Sequence, residues 1–561
     1  MKAVTRLLII VAIALQAVFT APAATRSPKS DIARNLDIFN AIVKELQLHY
    51  VDTIDINKAV TTAIDAMLAQ LDPYTEYMSQ KESNQFMSLT TGEYGGIGSY
   101  IRYTPKGTII AGPEPGSPAE KAGLRTGDLI IGIDTTDVTG WNDVRVRSLL
   151  QGTPGTDLTI KVNRPYVGAD SIRQFTLKRE KIQMPSVPYY GRLKNAPSIG
   201  YVDITSYTDK TGDEVKRALE ALKAEGPLGG VILDLRGNGG GLLDAAVATV
   251  GCFVPKGTEV VRTRGRGAME EKIYKTTAKP ILPDVPLAIL VDGGTASSSE
   301  ITAGALQDLD RAVIIGNRSF GKGLVQTARQ LPADALLKLT VAKYYIPSGR
   351  LVQAIDYSHR NADGSVERVP DSLTSIFHTS AGRIVRDGGG ITPDSTVTYP
   401  EVSRLVYNVV RGDWAFDYGT RYAASHPTIG DPADFVITDS IYADFKSTID
   451  PKKFDYDRVC ETMLNQLREA ARLEGYMTDS VAAEFDRLGA MMRHPLDADL
   501  DTHRADIEPY LAREIVGRYY NQPGEIIVSL PTDPGVIKAT EILLDTDLYR
   551  RILSPSDEQS K

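Results

Sequence analysis

Between about Ser171 and Tyr399 the chain alternates short, continuously apolar runs with amphipathic ones, and this alternation limits its fold more than any other feature. The run "SIGYVDI" precedes an expected helix Thr211–Ala224, and "GGVILDLRG" precedes one from Leu242. "PLAILVDGG" leads into a helix from Ser298, and "AVIIG" and "LLKLTVAKYY" follow. Strands alternating with helices in this way build an α/β core. The chain is 561 residues long, too long for one core, and the flanks differ in character. Leu36, Phe39, Ile42, Val43 and Leu46 are at helical spacing in residues 25–92. Residues 93–165 are short β-rich runs punctuated by glycine, and residues 401–561 read as mostly helical and charged.

The segment "GGTASSSEITAGALQDL", Gly293 to Leu309, places three serines between a buried strand and an amphipathic helix. Ser297-x-x-Glu300 has the form of a capping box, which puts Ser297 at the helix N-terminus. A cap is one reading. A nucleophile is the other, because a helix start offers unpaired backbone N–H groups and a positive dipole end to an oxyanion.

A serine nucleophile needs a base, and no histidine lies near the glycine-rich loops of the core. Lys322, in "SFGKGLVQ", is the candidate, and burial is the means of lowering an amine's pKa far enough. Gln326, four residues on, could orient it, although a regular strand would hold the two about 13 Å apart. A bulge at Gly323 is therefore expected. The same loop matches GxxxxGK, but Gly323 stands where a P-loop carries its magnesium-binding hydroxyl, which argues against nucleotide binding. The glycines of "DLRGNGGGLLDAA", Asp234 to Ala246, would let backbone N–H groups approach a reacting oxygen.

Bulk properties narrow the classes further. A net charge of −8 leaves no basic excess for nucleic acid. The six histidines are scattered and no CxxC or HExxH pattern occurs, so neither a metal nor another cofactor is expected. Cys252 and Cys460 are read as free, buried thiols. Lys2 and Arg6, the apolar Leu7–Phe19 and the small residues at 21–24 predict a signal peptide over residues 1–24, hence an exported, periplasmic or envelope-associated protein with no membrane span.

These motifs, in this order, resemble the carboxyl-terminal processing peptidases, the S41-type serine proteases that carry a PDZ domain. "GGTASSSEITAGALQD" is similar to the family's nucleophile segment and "SFGKGLVQ" to its lysine segment. "DLRGNGGGLLDAA", "LLKLTVAKYYIPSGR", "GGGITPD" and "LDPYTEYM" resemble further family segments. The resemblance implies a multidomain α/β and α+β chain: an N-terminal helical region at 25–92, a PDZ domain at 93–165, a crotonase/Clp-like α/β protease core at 166–400 and a mostly helical extension at 401–561. It implies Ser297 as nucleophile, Lys322 as general base and Gln326 as its orienting partner. The Ser298 amide and that of Gly240, or else Gly241, would form the oxyanion hole. Asp308 also fits a family position but is read as structural. Ser298 stands where a small residue such as alanine is usual, which makes its hydroxyl a rival nucleophile. Gly95, Gly96, Ile97 and Gly98 would bind the carboxylate of a peptide C-terminus, with an adjacent groove for an apolar last side chain. The expected partners are protein or peptide substrates with free apolar C-termini, and homo-oligomer formation is compatible with this reading. A catalytically silent PDZ adaptor is the alternative from another class.

Overall fold

The structure is a computed structural model. It describes residues 28–168, 171–266, 271–357, 361, 366–454, 459–492 and 495–555. The expected leader, residues 1–24, lies outside the described residues.

At the centre is a six-stranded sheet in the order Tyr189–Leu193, Ala196–Asp203, Gly230–Asp234, Leu287–Val291, Val313–Gly316 and Ser395–Thr396. The first pair is antiparallel and the rest are parallel. Leu287–Val291 reads as unbroken apolar sequence because both its faces are covered. Leu287, Ile289 and Val291 face the helices Thr211–Ala224, Leu243–Val250 and Ser298–Asp308. Ala288 and Leu290 face Val536, Ala539, Ile542 and Leu543 of the helix Pro534–Leu544. The end of the helical extension therefore closes one side of the α/β core. The Tyr549 hydroxyl adds a polar tie, accepting from Leu287 N at 3.0 Å. Residues Leu405 to Ile515 form a separate helical core around Phe445, Ile507 and Leu511.

A second sheet, of five strands, lies beside the first. Its long strand Leu336–Tyr345 pairs with Leu324–Gln330, with Glu259–Gly265 and with Glu76–Met78. Glu76–Met78 belongs to the N-terminal region, which thereby contributes a strand to the core as well as helices.

The β-rich module is a sheet in the order Ser99–Thr104, Gly107–Pro113, Leu129–Ile133, Asp157–Asn163 and Ile172–Lys178, around a core of its own that includes Ile110, Ile130, Val146 and Ile160. The sheet continues past residue 165, since Ile172–Lys178 pairs along its whole length with Asp157–Asn163. Both cysteines are free. Cys252 is buried, which pushes its thiol up to about 12. Cys460, expected to be buried, is exposed, because its helix Val459–Leu473 has no buried residue.

Candidate active site

The turn between Leu287–Val291 and Ser298–Asp308 is organised by Asp292. Its Oδ1 accepts from Gly294 N and Gly237 N, both at 2.9 Å, and from Thr295 N at 3.0 Å. This is an Asx turn that also ties the turn to the glycine-rich loop. The chain then enters the helix through Ser297 at φ 56°, ψ −116°, a region that L residues rarely occupy. Strain of this kind costs about 1–3 kcal/mol and persists only where surrounding contacts hold it. It also resembles the sharp strand-to-helix elbow on which hydrolases expose a serine.

The three serines are not equivalent. Ser298 Oγ donates to Gly241 O at 2.8 Å, and Ser299 Oγ donates to Asn238 O at 2.9 Å. Both serines are buried, and their hydroxyls lash the helix start to the glycine-rich loop. Ser297 is half-buried, and its side chain lies in a capping box with Glu300. Of the three serines, it alone donates no side-chain hydrogen bond among the described residues.

The amides around Ser297 are sorted in the same way. Asn238, fully buried, accepts from Gly240 N at 2.9 Å through Oδ1 and donates to Ile204 O at 2.7 Å. The Gly240 amide is thus engaged. The Gly241 and Ser298 amides make no hydrogen bond among the described residues. Gly240 is in the left-handed region at φ +93°, and a Cβ there would come within 2.8 Å of Ser298 N and of Ser297 Cβ. Only glycine lets the loop approach the serine this closely.

Glu300 does far more than cap its helix. Its carboxylate is fully buried and accepts four hydrogen bonds. Oε2 takes Ser297 N at 2.9 Å and Lys322 N at 2.8 Å; Oε1 takes Ser319 Oγ at 2.5 Å and Gly321 N at 2.7 Å. One oxygen atom therefore holds the backbone nitrogens of both candidate catalytic residues. Burial pushes the carboxyl up to about 7, against the four hydrogen bonds that pull it down. The Tyr344 hydroxyl makes a second bridge, shared between Lys322 O at 2.8 Å and Ser297 O at 3.1 Å. Sequence reasoning missed the clamp role of Glu300. An acidic residue inside an otherwise apolar helix face was the one available signal.

The Lys322 side chain is half-buried, and burial, then Lys338, holds its amine below the usual lysine range, while Glu300, Glu76 and Asp72 act in the opposite direction. Nζ lies 4.5 Å from the centre of the Tyr74 ring. It makes no hydrogen bond among the described residues, to Ser297, Gln326 or any other group. Gln326 Nε2 donates to Thr340 Oγ1 at 3.1 Å. The bulge expected at Gly323 occurs elsewhere. Val325 faces Ala342 and Gln326 faces Thr340, so the extra residue is Val341 on the opposite strand. Asp308 is buried against Arg350 at 2.9 Å, as a structural pair.

In the β-rich module, Gly95 and Gly96 end a strand paired with Glu180–Gln183, which commits part of their backbone. Ile97 is buried, and its carbonyl accepts from Ala119 N at 2.9 Å. Gly98 turns the loop at φ +66°, where a Cβ would meet Ser117 Cβ at 2.5 Å. The strand that follows, Ser99–Thr104, is at the edge of its sheet, with the helix Asp143–Leu150 packed beside it. An edge strand below a glycine loop and beside a helix is the arrangement that accepts an added peptide strand.

Comparison with known proteins supplies the family context. A model described as "Peptidase family S41" matches residues 198–358, and one described as "PDZ domain" matches residues 109–164. A third, "Probable PDZ-protease, C-terminal helical domain", matches residues 405–543. A carboxy-terminal-processing protease of Bartonella bacilliformis is 35% identical over 334 residues, covering 59% of this chain and 75% of that protein. A Staphylococcus aureus protein described as "Probable CtpA-like serine protease" is 30% identical over 456 residues, covering 81% of this chain and 79% of that one. A solved photosystem II D1 C-terminal processing protease is 29% identical and covers 64% of this chain and 86% of its own, with a TM-score of 0.35.

Proposed function

This chain belongs to the carboxy-terminal processing proteases, PDZ-containing serine peptidases of family S41, and we propose from that premise that Ser297 and Lys322 carry its chemistry. Ser297 Oγ attacks the peptide carbonyl while its proton passes to neutral Lys322 Nζ. The Ser298 and Gly241 amides stabilise the tetrahedral oxyanion. The Lys322 ammonium then protonates the departing amine; neutral again, Lys322 takes a proton from the water that attacks the acyl-enzyme and returns it to Ser297 Oγ as the acid product leaves. Gln326 holds the amine between these steps. The observation that carries this reading is that Ser297 is the one serine of the turn whose hydroxyl donates no hydrogen bond among the described residues, beside two amides that make none there.

A fluorophosphonate probe tests it. The probe should label the wild type at Ser297, as read by peptide mass spectrometry, and should label Ser298→Ala at a similar rate. Label on Ser298, or none on either, would assign the nucleophile wrongly here or favour the silent adaptor.

Substrate choice follows from the PDZ module. A C-terminus docked on Ile97–Gly98 and paired with Ser99–Thr104 would be held by carboxylate hydrogen bonds, with its apolar last side chain towards the helix Asp143–Leu150. A chain amidated at its end should therefore be cut about 10-fold more slowly at sub-saturating concentration, since one charge-assisted interaction is worth about 1.5–3 kcal/mol. Equal kcat/KM for the free and amidated forms would remove the carboxylate from the account. Export through residues 1–24 to the cell envelope belongs to the same proposal. Among the described residues no helix is long and apolar enough to cross a membrane.

A further inference from the structure

We propose that the turn Leu71–Thr75, contributed from ahead of the PDZ domain, is a working part of the active site, with Tyr74 as the positioning residue that seats protonated Lys322 on its ring face. The inference rests on the Ser297/Lys322 reading above and extends it to a segment far away in sequence.

The turn is built to hold that ring still. Asp72, buried, accepts from Tyr74 N at 2.8 Å, from Thr75 N at 2.9 Å and from Thr75 Oγ1 at 3.0 Å. The strand Glu76–Met78 that follows is paired antiparallel with Leu336–Lys338, which fixes the turn to the core. The Tyr357 ring stands edge-on to Tyr74, with centres 6.0 Å apart and planes at 88°. The Tyr357 hydroxyl also donates to that of Tyr74 at 3.4 Å, and the Lys322 ammonium lies over the ring's face.

That face discriminates between the two states of the base. An aromatic quadrupole attracts an ammonium, but offers a neutral amine no lone pair and no comparable attraction. Charged Lys322 is therefore held on Tyr74. Once deprotonated it loses this contact and is released to accept a hydrogen bond from Ser297. The charged neighbours that also act on Nζ come from four elements: Lys338 on the long strand, Glu76 on the N-terminal strand, Asp72 in the turn and Glu300 on the helix.

The same turn orients Gln326. Asp72 Oδ1 can only accept, and Thr340 Oγ1 donates to it at 3.1 Å. Thr340 then has only lone pairs for Gln326, which must present its NH₂, as found at 3.1 Å. The amide oxygen Oε1 is left as the end available to an ammonium.

The test uses the full-length enzyme and reads the rate of fluorophosphonate labelling of Ser297 against pH. Tyr74→Phe keeps the ring face, and pentafluorophenylalanine introduced at position 74 keeps the shape while reversing the quadrupole. Tyr74→Phe should reproduce the wild-type alkaline limb. The fluorinated ring should move it toward acid by about one pH unit, because the charged amine loses its seat. Ionisation of Glu300 is common to both variants and does not separate them. Coincident limbs for the two rings would overturn the proposal while leaving the Ser297/Lys322 reading intact. A wild type unlabelled at Ser297 would sink that reading, and this inference with it.

Discussion

Lys322→Arg should be as inactive as Ser297→Ala, with turnover of a peptide substrate reduced by about 10⁴-fold or more. The substitution keeps the positive charge and a long apolar stem, so an electrostatic role would survive it. It removes the ability to lose a proton, because a guanidinium stays charged at any pH the protein tolerates. Removing either the nucleophile or its base alone from a serine hydrolase can cost on the order of 10⁶ in kcat, so a loss of about 10⁴ is a conservative expectation. Binding of a C-terminal peptide to the PDZ module should be unchanged in both variants, which separates lost chemistry from lost fold. In the wild type, activity should rise with pH along a limb set by Lys322, which burial and Lys338 hold below the usual lysine range. Activity of the arginine variant within 10-fold of wild type would show that the amine is not the base.

Glu300→Ala should be the most damaging change to a residue that never touches substrate. It deletes the acceptor for four donors at once, Ser297 N, Lys322 N, Gly321 N and Ser319 Oγ, in a site closed to water. Each buried donor left without a partner costs about 1–3 kcal/mol. The strained Ser297 backbone and the lysine loop lose their common anchor. A misplacement of about 1 Å is enough to cost 10²-fold in rate, and that loss should fall on kcat with KM little changed. Glu300→Gln should be milder, since one oxygen remains to hold Ser297 N and Lys322 N, and the cost is confined to the new NH₂ facing Gly321 N–H and Ser319. Stability carries a further signature. The folded-state value of about 7 lies above the ordinary 4.5. Ionised Glu300 therefore costs stability, fully above about pH 7, and that cost is relieved as the pH falls toward 4.5. The stability of the wild type relative to Glu300→Gln should accordingly grow between pH 8 and pH 6. A difference independent of pH would show that the carboxyl is already ionised throughout that range.

Much of this protein was legible in one dimension. The apolar runs of the core announce strands because each must be buried against helices. Ser297-x-x-Glu300 announces a helix start because its partners are three residues apart. Gly98 and Gly240 announce turns because their backbones enter regions closed to other residues. These signals are local, and local hydrogen bonding or steric exclusion is enough to produce them. What chain folding alone decided is which groups meet across long separations. Glu300 reads as a cap until Lys322 and Gly321 arrive on the same carboxylate from the next loop. Ser298 reads as a rival nucleophile until Gly241 O takes its hydroxyl. The final helices read as an appendage until Val536 and Leu543 cover the bare face of the central sheet. Tyr74 carries no sequence sign of its place under Lys322, because a ring and an ammonium attract each other only once two strands have paired and brought them together.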